Sequence, residues 1–395
     1  MTETPTEAIT LPILRDPDRP FDPAPGLAEL CAERPLTRMR FPDGHLGWLA
    51  TSHELVRAVH ADPRFSVRYE LLHDPLHDVD LTQAPAPPGD LSGVDGPEHT
   101  RLRRTLTGKF TVRRIALLTS RIEQISADHL DAMAEQGPPV DLVTAYAQPV
   151  PALTICELLG VPYDDREFFQ RQVSTIMAPE SFEEMGAAWN RIAEYIHRLA
   201  VAKRAEPTDD VLSELTRSDM PDDEVAGLGT FLLGAGLETT RNMIALGVFA
   251  LLRHPEQLAA LRADPDLAEP AVEELLRYLS IVHTSARAAL EDVELGGQLI
   301  KAGETVAVSI NGANRDPRRF DDPDTLDVRR RATGHIAFGH GVHQCLGQQL
   351  ARVEMRVAIP ALLNRFSTLR LAVPAEEIQF RYGNILGVQQ LPVAW

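Results

Sequence analysis

Residues 338–347 read Phe338-Gly339-His340-Gly341-Val342-His343-Gln344-Cys345-Leu346-Gly347, a cysteine set among three glycines. Apolar residues follow at Leu346, Leu350, Val353, Val357 and Ala361, the spacing of a helix buried along one stripe. Cys345 therefore falls at a helix start, where free N–H groups and the positive end of the dipole stabilise a negative sulfur and predict a lowered pKa. A thiolate so placed is a soft ligand for iron. Gly339, Gly341 and Gly347 keep side chains away from a flat macrocycle, and haem is the group such a turn accommodates. A lone intracellular cysteine is more often a small buried hydrophobe. The whole Phe-Gly-x-Gly-x-x-x-Cys-x-Gly frame is what favours the metal.

A second constellation, Gly234-Ala235-Gly236-Leu237-Glu238-Thr239-Thr240, interrupts a helix predicted over 222–252. Pro221, the acids at 222–224, Arg253-His254 and Pro255 mark its ends with the correct polarity. About thirty residues at about 1.5 Å each cross a whole domain, so this helix must run through the interior. Each interior glycine costs about 1 kcal/mol against alanine. Either close helix packing or approach of a flat ligand accounts for that cost, and a threonine bonding back to the previous turn bends the helix locally. A carboxylate beside a hydroxyl is a pair able to pass protons.

Together these segments resemble the cytochrome P450 family, whose haem signature matches 338–347 at every fixed position and whose oxygen-activation motif has a small-Gly-x-acid-Thr pattern. The resemblance runs from Asp62-Pro63-Arg64-Phe65-Ser66 to the last residue. It implies a mostly α fold with small β-sheets, a single triangular-prism-like domain over 1–395 with the long helix over the haem. It implies haem b with Cys345 as axial thiolate, the ligand that pushes electron density toward O–O cleavage. Glu238 and Thr239 take the acid and alcohol positions, with Ala235 and Gly236 beside the oxygen pocket. Phe338, Gly339, His343 and Gly347 belong to the haem loop, and His99, Arg103, Arg287 and His343 match the contacts to the propionates. Glu274 and Arg277, three apart on one helix face, are by spacing alone a solvated or a buried pair. By resemblance they lock the proximal core, with a third charged partner not assignable near Asp322-Pro323-Asp324-Thr325.

Composition narrows the rest. A net charge of −18 over 395 residues disfavours nucleic acid and anionic membranes as partners. Cysteines at 31, 156 and 345 do not form a disulfide framework or zinc site. The longest apolar run, 243–252, is about half a membrane span. Without a basic and apolar leader at 1–5, a cytoplasmic monomer is expected. The proline-rich stretch 67–94 reads as a lid. Pocket walls are expected from 177–185, Leu233, Leu237, Val282, Thr284 and Ile385, mostly apolar, suiting a bulky hydrophobic small molecule. The resemblance is closest to actinomycete enzymes that hydroxylate macrolide and polyene polyketides, with xenobiotic oxidation as a near alternative. A non-catalytic haem-thiolate sensor and a peroxide-driven peroxygenase are both disfavoured by the acid–alcohol pair. No flavin or nicotinamide fingerprint is present, so electrons are expected from a ferredoxin and ferredoxin reductase, docking at Arg104, Lys109, Arg113, Arg114, Arg352 and Arg356. O2 is the co-substrate.

Overall fold

Helical periodicity becomes helix over most of the chain, and the computed structural model describes residues 8–13, 15–16, 18–78, 84–110, 112–177 and 181–395. The long helix spans Asp222–Arg253, with Asp222, Asp223 and Glu224 in its first turn and Arg253 in its last. At 32 residues it is about 48 Å long. All of residues 240–251 are buried, so the second half is apolar around its whole circumference. It packs on helices Phe182–Ala205, Pro149–Leu159 and Gln348–Arg365, the last being the helix that follows the cysteine.

The largest sheet has five strands in the order Leu36–Arg40, Leu46–Ala50, Thr305–Ser309, Thr284–Ala289 and Phe65–Ser66. Only the pairing of Leu46–Ala50 with Thr305–Ser309 is parallel. Thr305–Ser309 is buried at every position, matching its β-branched, nearly continuous apolar sequence. The hairpin Val293–Leu295 to Gln298–Ile300 turns on Gly296 and Gly297, both at positive φ, as a two-residue turn requires. A further hairpin, Phe380–Arg381 with Gly387–Val388, lies against the long helix.

Among its described residues the stretch 67–94, expected to be a lid, holds two short 3₁₀ turns, Tyr69–Leu71 and Leu91–Gly93; 79–83 lies outside the described residues. Among the described residues no helix is long and apolar enough to cross a membrane.

The core is locked by a buried charge cluster. Glu274 and Arg277 are both fully buried and form two parallel bonds, Nε to Oε2 at 2.7 Å and Nη2 to Oε1 at 2.8 Å. The third charged partner is Arg330, whose Nε meets Glu274 Oε1 at 3.1 Å. Thr325 contributes its backbone carbonyl to both arginines.

Candidate active site

The helix after the cysteine begins at Gln348, so Cys345 sits just ahead of it rather than inside its first turn. The Cys345 N–H donates to the Phe338 carbonyl at 2.9 Å, closing the loop, and its sulfur accepts from the backbone N–H groups of Gly347 and Gln348. Burial pushes the Cys345 thiol up, and those N–H groups, Arg103 and Arg352 only partly oppose it. The expected net lowering is therefore corrected: although the residue keeps solvent access, the bulk of protein around it disfavours the thiolate more than the two amides and two arginines favour it. Cys345 is nonetheless the exposed cysteine, whereas Cys31 and Cys156 are buried and pushed up to about 11 and about 12.

The Arg352 guanidinium lies 4.6 Å from the centre of the Phe338 ring and clamps Glu273 at 2.6 and 3.1 Å. His335 bonds the same carboxylate at 3.1 Å. Burial alone would raise Glu273, yet His335 and Arg352 hold it at about 2. Arg352 is thus a brace for the cysteine loop and not the free docking charge that its spacing implied. Arg356 faces Glu269 at 3.7 Å and Lys109 pairs with Glu214. Arg104 is exposed, and the side chains of Arg113 and Arg114 lie outside the described residues.

Of the four basic residues expected at the propionates, His99, Arg103 and His343 meet beside the cysteine loop, and Arg287 interacts with Asp95, the partner of His343. The rings of His99 and His343 are 4.1 Å apart, Arg103 donates to the Gln344 carbonyl at 2.6 Å, and Arg287 donates to its neighbour's carbonyl at 2.7 Å. Burial pulls Arg287 to about 10 and His99 to about 4. His99 Nε2 is buried without a partner, and Arg287 has no carboxylate within ion-pair reach among the described residues. Unsatisfied donors of this kind are what a group bearing two carboxylates would complete, so the residues fit haem. Asp95 was missed by sequence reasoning. It holds His343 at 3.1 Å and accepts from Ser66 at 2.5 Å, and its place directly before the helix Gly96–Thr107 was the available signal.

Gly339 and Gly347 have open space where a Cβ would stand. Gly341 does not: at φ +76° a Cβ there would lie 2.4 Å from the His60 carbonyl oxygen, so it is required by backbone packing and not by the macrocycle.

On the long helix, the Thr239 hydroxyl donates to the Ala235 carbonyl at 2.8 Å, one turn back, and the helix remains continuous. Glu238 pairs with Arg381 of the neighbouring hairpin at 2.8 Å, a partner that nothing in the local sequence announced. Gly234 is explained by Trp189, whose ring would lie 2.8 Å from a Cβ. Gly236 faces Ile155 at ordinary contact distance, toward the core, so Ala235 alone of that pair lines the cavity.

Thr240 is buried and bonds Glu354 of the cysteine helix, which removes it as the relay hydroxyl. Burial pushes Glu354 up to about 8, with Thr240 only partly opposing. A carboxyl that keeps its proton in the fold stabilises it fully below the unfolded value near 4.5. That contribution is lost as pH rises through about 8. Glu354→Gln, which cannot ionise, should therefore gain unfolding free energy relative to the parent as pH rises from 5 to 8, by at most about 1.4 kcal/mol per pH unit. A constant difference across that range would show that Glu354 is not protonated in the fold.

A cavity of about 920 Å³ lies between Pro87-Pro88, the helix Phe182–Ala205 and the long helix, and reaches Gly234 and Ala235. Trp189, Phe231 and Ala226 supply apolar wall, with Asp90, His197 and Asp223 toward the polar side. Leu233 and Leu237 are buried in the core on another face of the helix, which corrects their assignment to the pocket; Thr230 and Phe231 take that place. Val282 and Ile385 pack against the core, and Thr284 lines a separate, smaller cavity. The expected wall at 177–185 falls partly outside the described residues.

A free, exposed cysteine on a glycine-bearing loop, basic groups awaiting carboxylates beside it and an acid–alcohol pair on the long helix are the parts of a haem-thiolate oxygenase. The chain matches the Cytochrome P450 family model over residues 73–379. It is 50% identical over 380 residues to cytochrome P450 105C1 of a Streptomyces species, covering 95% of this chain and 96% of that one. Pentalenic acid synthase of Streptomyces avermitilis is 44% identical over 403 residues, with full coverage of both. Among solved structures, CYP105P1 in complex with filipin I superposes with a TM-score of 0.91 at 40% identity, over 98% of this chain and 99% of that one. The chain belongs to the cytochrome P450 family. It is a monooxygenase that uses haem b with a cysteine thiolate as axial ligand.

Proposed function

We propose that this enzyme hydroxylates a bulky, hydrophobic secondary metabolite of the macrolide or polyene polyketide kind. The observation that carries the reading is the cavity of about 920 Å³, apolar along most of its wall, whose inner end at Ala235 adjoins Thr239 and Glu238. A relative of this chain is described in complex with filipin I, and another is named pentalenic acid synthase. Cys345 would hold the haem iron, while His99, Arg103 and Arg287 would hold the propionates. Bound there, haem supplies the binding and reductive activation of O2.

The protein's own part is to exclude water, orient substrate and deliver protons. Trp189, Phe231 and the Pro87-Pro88 segment wall the cavity beside the long helix. Thr239 presents its hydroxyl at the helix surface, and Glu238 is the next proton carrier outward. Arg381 holds the Glu238 carboxylate at 2.8 Å, so proton delivery requires that carboxylate to leave Arg381 and turn toward Thr239. Electrons come from a ferredoxin and ferredoxin reductase, as is general for bacterial members of the family.

The test is a screen of macrolides and polyenes for a substrate-induced Soret shift, followed by product analysis with ferredoxin, reductase and reduced nicotinamide. A hydroxylated product from a compound that shifts the spectrum supports the reading, and a panel without one removes this substrate class. In the same assay Thr239→Ala should bind haem and substrate normally while coupling of nicotinamide oxidation to product falls on the order of tenfold, the electrons appearing as hydrogen peroxide. Unchanged coupling would exclude Thr239 as the relay.

A further inference from the structure

A second cavity, of about 180 Å³, lies apart from the first and is lined by Arg15, His283, Thr284, Asn311, Tyr382 and Leu386 among others. Arg15 is only 8% exposed. One of its terminal nitrogens reaches the Pro20 carbonyl at 3.4 Å, and the other, Nη2, is buried with no partner. Asp22, the carboxylate whose charge acts on Arg15, is already claimed by Arg19 at 2.5 Å and Arg315 at 3.4 Å, and Arg315 also holds Asp324 at 2.8 Å. Arg15 has no ion pair among the described residues. Burial pulls it to about 10, so it remains a cation at neutral pH. A buried guanidinium lacking a counter-charge is costly, and the usual remedy is an anion in the adjoining space.

The other cavity-lining groups narrow the ligand. His283 donates from Nε2 to the Gly383 carbonyl at 2.7 Å and accepts the Thr284 hydroxyl at Nδ1 at 2.9 Å. Burial lowers its pKa, so it stays neutral with both nitrogens used. Asn311 takes the Ser309 hydroxyl at 2.7 Å and the Gly312 N–H at 2.9 Å on its carbonyl oxygen, which leaves its amide NH2 as a further donor. One charged donor and one neutral donor suit a monoanion with two acceptor oxygens. Leu11, Leu27 and Leu386 make the remaining wall apolar.

We propose that this cavity is a carboxylate-binding subsite, with Arg15 and Asn311 as the recognising groups, and that it selects substrates ending in a carboxylic acid. One strand that lines it also carries a group expected at a haem propionate. Thr284 lies on the strand that carries Arg287, and Leu386 donates to the Ile281 carbonyl at 2.8 Å, directly before Gly387, which abuts Asn242 of the long helix. The substrate part of this assignment rests on the oxygenase reading above, whereas the site itself does not.

Calorimetric titration of the haem-loaded protein with dodecanoate, dodecanamide and acetate tests it, since heat of binding is read whether or not turnover occurs. The acid should bind at least about tenfold more tightly than the amide, and Arg15→Met should bring the ratio to about one by weakening the acid alone. Asn311→Asp keeps both acceptor bonds and replaces the free donor with a repelling oxygen, so it should weaken dodecanoate selectively even if Arg15→Met fails to fold. Acetate binding that Arg15→Met or Asn311→Asp abolishes, without discrimination between the long-chain pair, would assign the site to a free small carboxylate. Equal affinities with no acetate binding, or an acid preference that survives both substitutions, overturns the proposal. A macrolide screen without product leaves these heats unaffected, so the two readings fail separately.

Discussion

Glu274→Ala should yield no folded, haem-loaded protein. Its removal leaves Arg277 and Arg330 facing each other without a carboxylate in a region where Arg277 has no solvent exposure at all. Breaking such a pair costs about 3–5 kcal/mol, out of a typical total of about 5–15. Arg277→Lys should fail as well, although it keeps the charge. The five bonds from the Arg277 guanidinium go to both Glu274 oxygens and to the carbonyls of Asn314, Pro323 and Thr325. An ammonium has three donors and no planar fork, so at least two of these five bonds are lost. Haem content and melting of the soluble fraction are the measurements. A soluble, haem-replete Glu274→Ala protein would show that the cluster is dispensable.

Cys345→Ser should retain some haem through the basic groups at 99, 103 and 287, yet its reduced, carbon monoxide-bound spectrum should lack the red-shifted Soret band and its monooxygenase turnover should fall to background. A serine hydroxyl in the same loop receives the same Gly347 and Gln348 N–H groups, but these do not bring an alcohol near ionisation at neutral pH. Cys31→Ser and Cys156→Ser should keep the parent spectrum, since both thiols are buried and pushed upward. Loss of the band in either of those, with its survival in Cys345→Ser, would move the ligand elsewhere.

What the sequence reveals is the chemistry written in consecutive residues. The cysteine loop, the acid–alcohol pair and the Glu-x-x-Arg turn are local, and so are the proline and acid signals that bound the long helix to within one residue. Partners supplied from a distance were not legible. Arg381 is 143 residues from Glu238, and Arg330 is 56 from Glu274. Neither sits at a spacing that any periodicity marks. Orientation around the long helix was also ambiguous, because a helix buried almost all round offers no polar stripe to say whether Leu233 or Phe231 faces the cavity. The direction of the Cys345 shift was misjudged for an energetic reason: a dipole argument can be made from sequence, but the desolvation that outweighs it comes from protein that only the finished fold gathers around the site.

The contact between Trp189 and Gly234 has an optical consequence. Of the three tryptophans, Trp48 donates to Glu304 in the large sheet and Trp395 stacks on Phe366 at 3.9 Å, while Trp189 alone stands in the wall of the larger cavity. Indole emission responds to local polarity, so a ligand that displaces water beside Trp189 changes the fluorescence of one identifiable residue against two invariant ones. Trp189 is thus a built-in reporter of cavity occupancy that needs neither a dye nor a spin-state change.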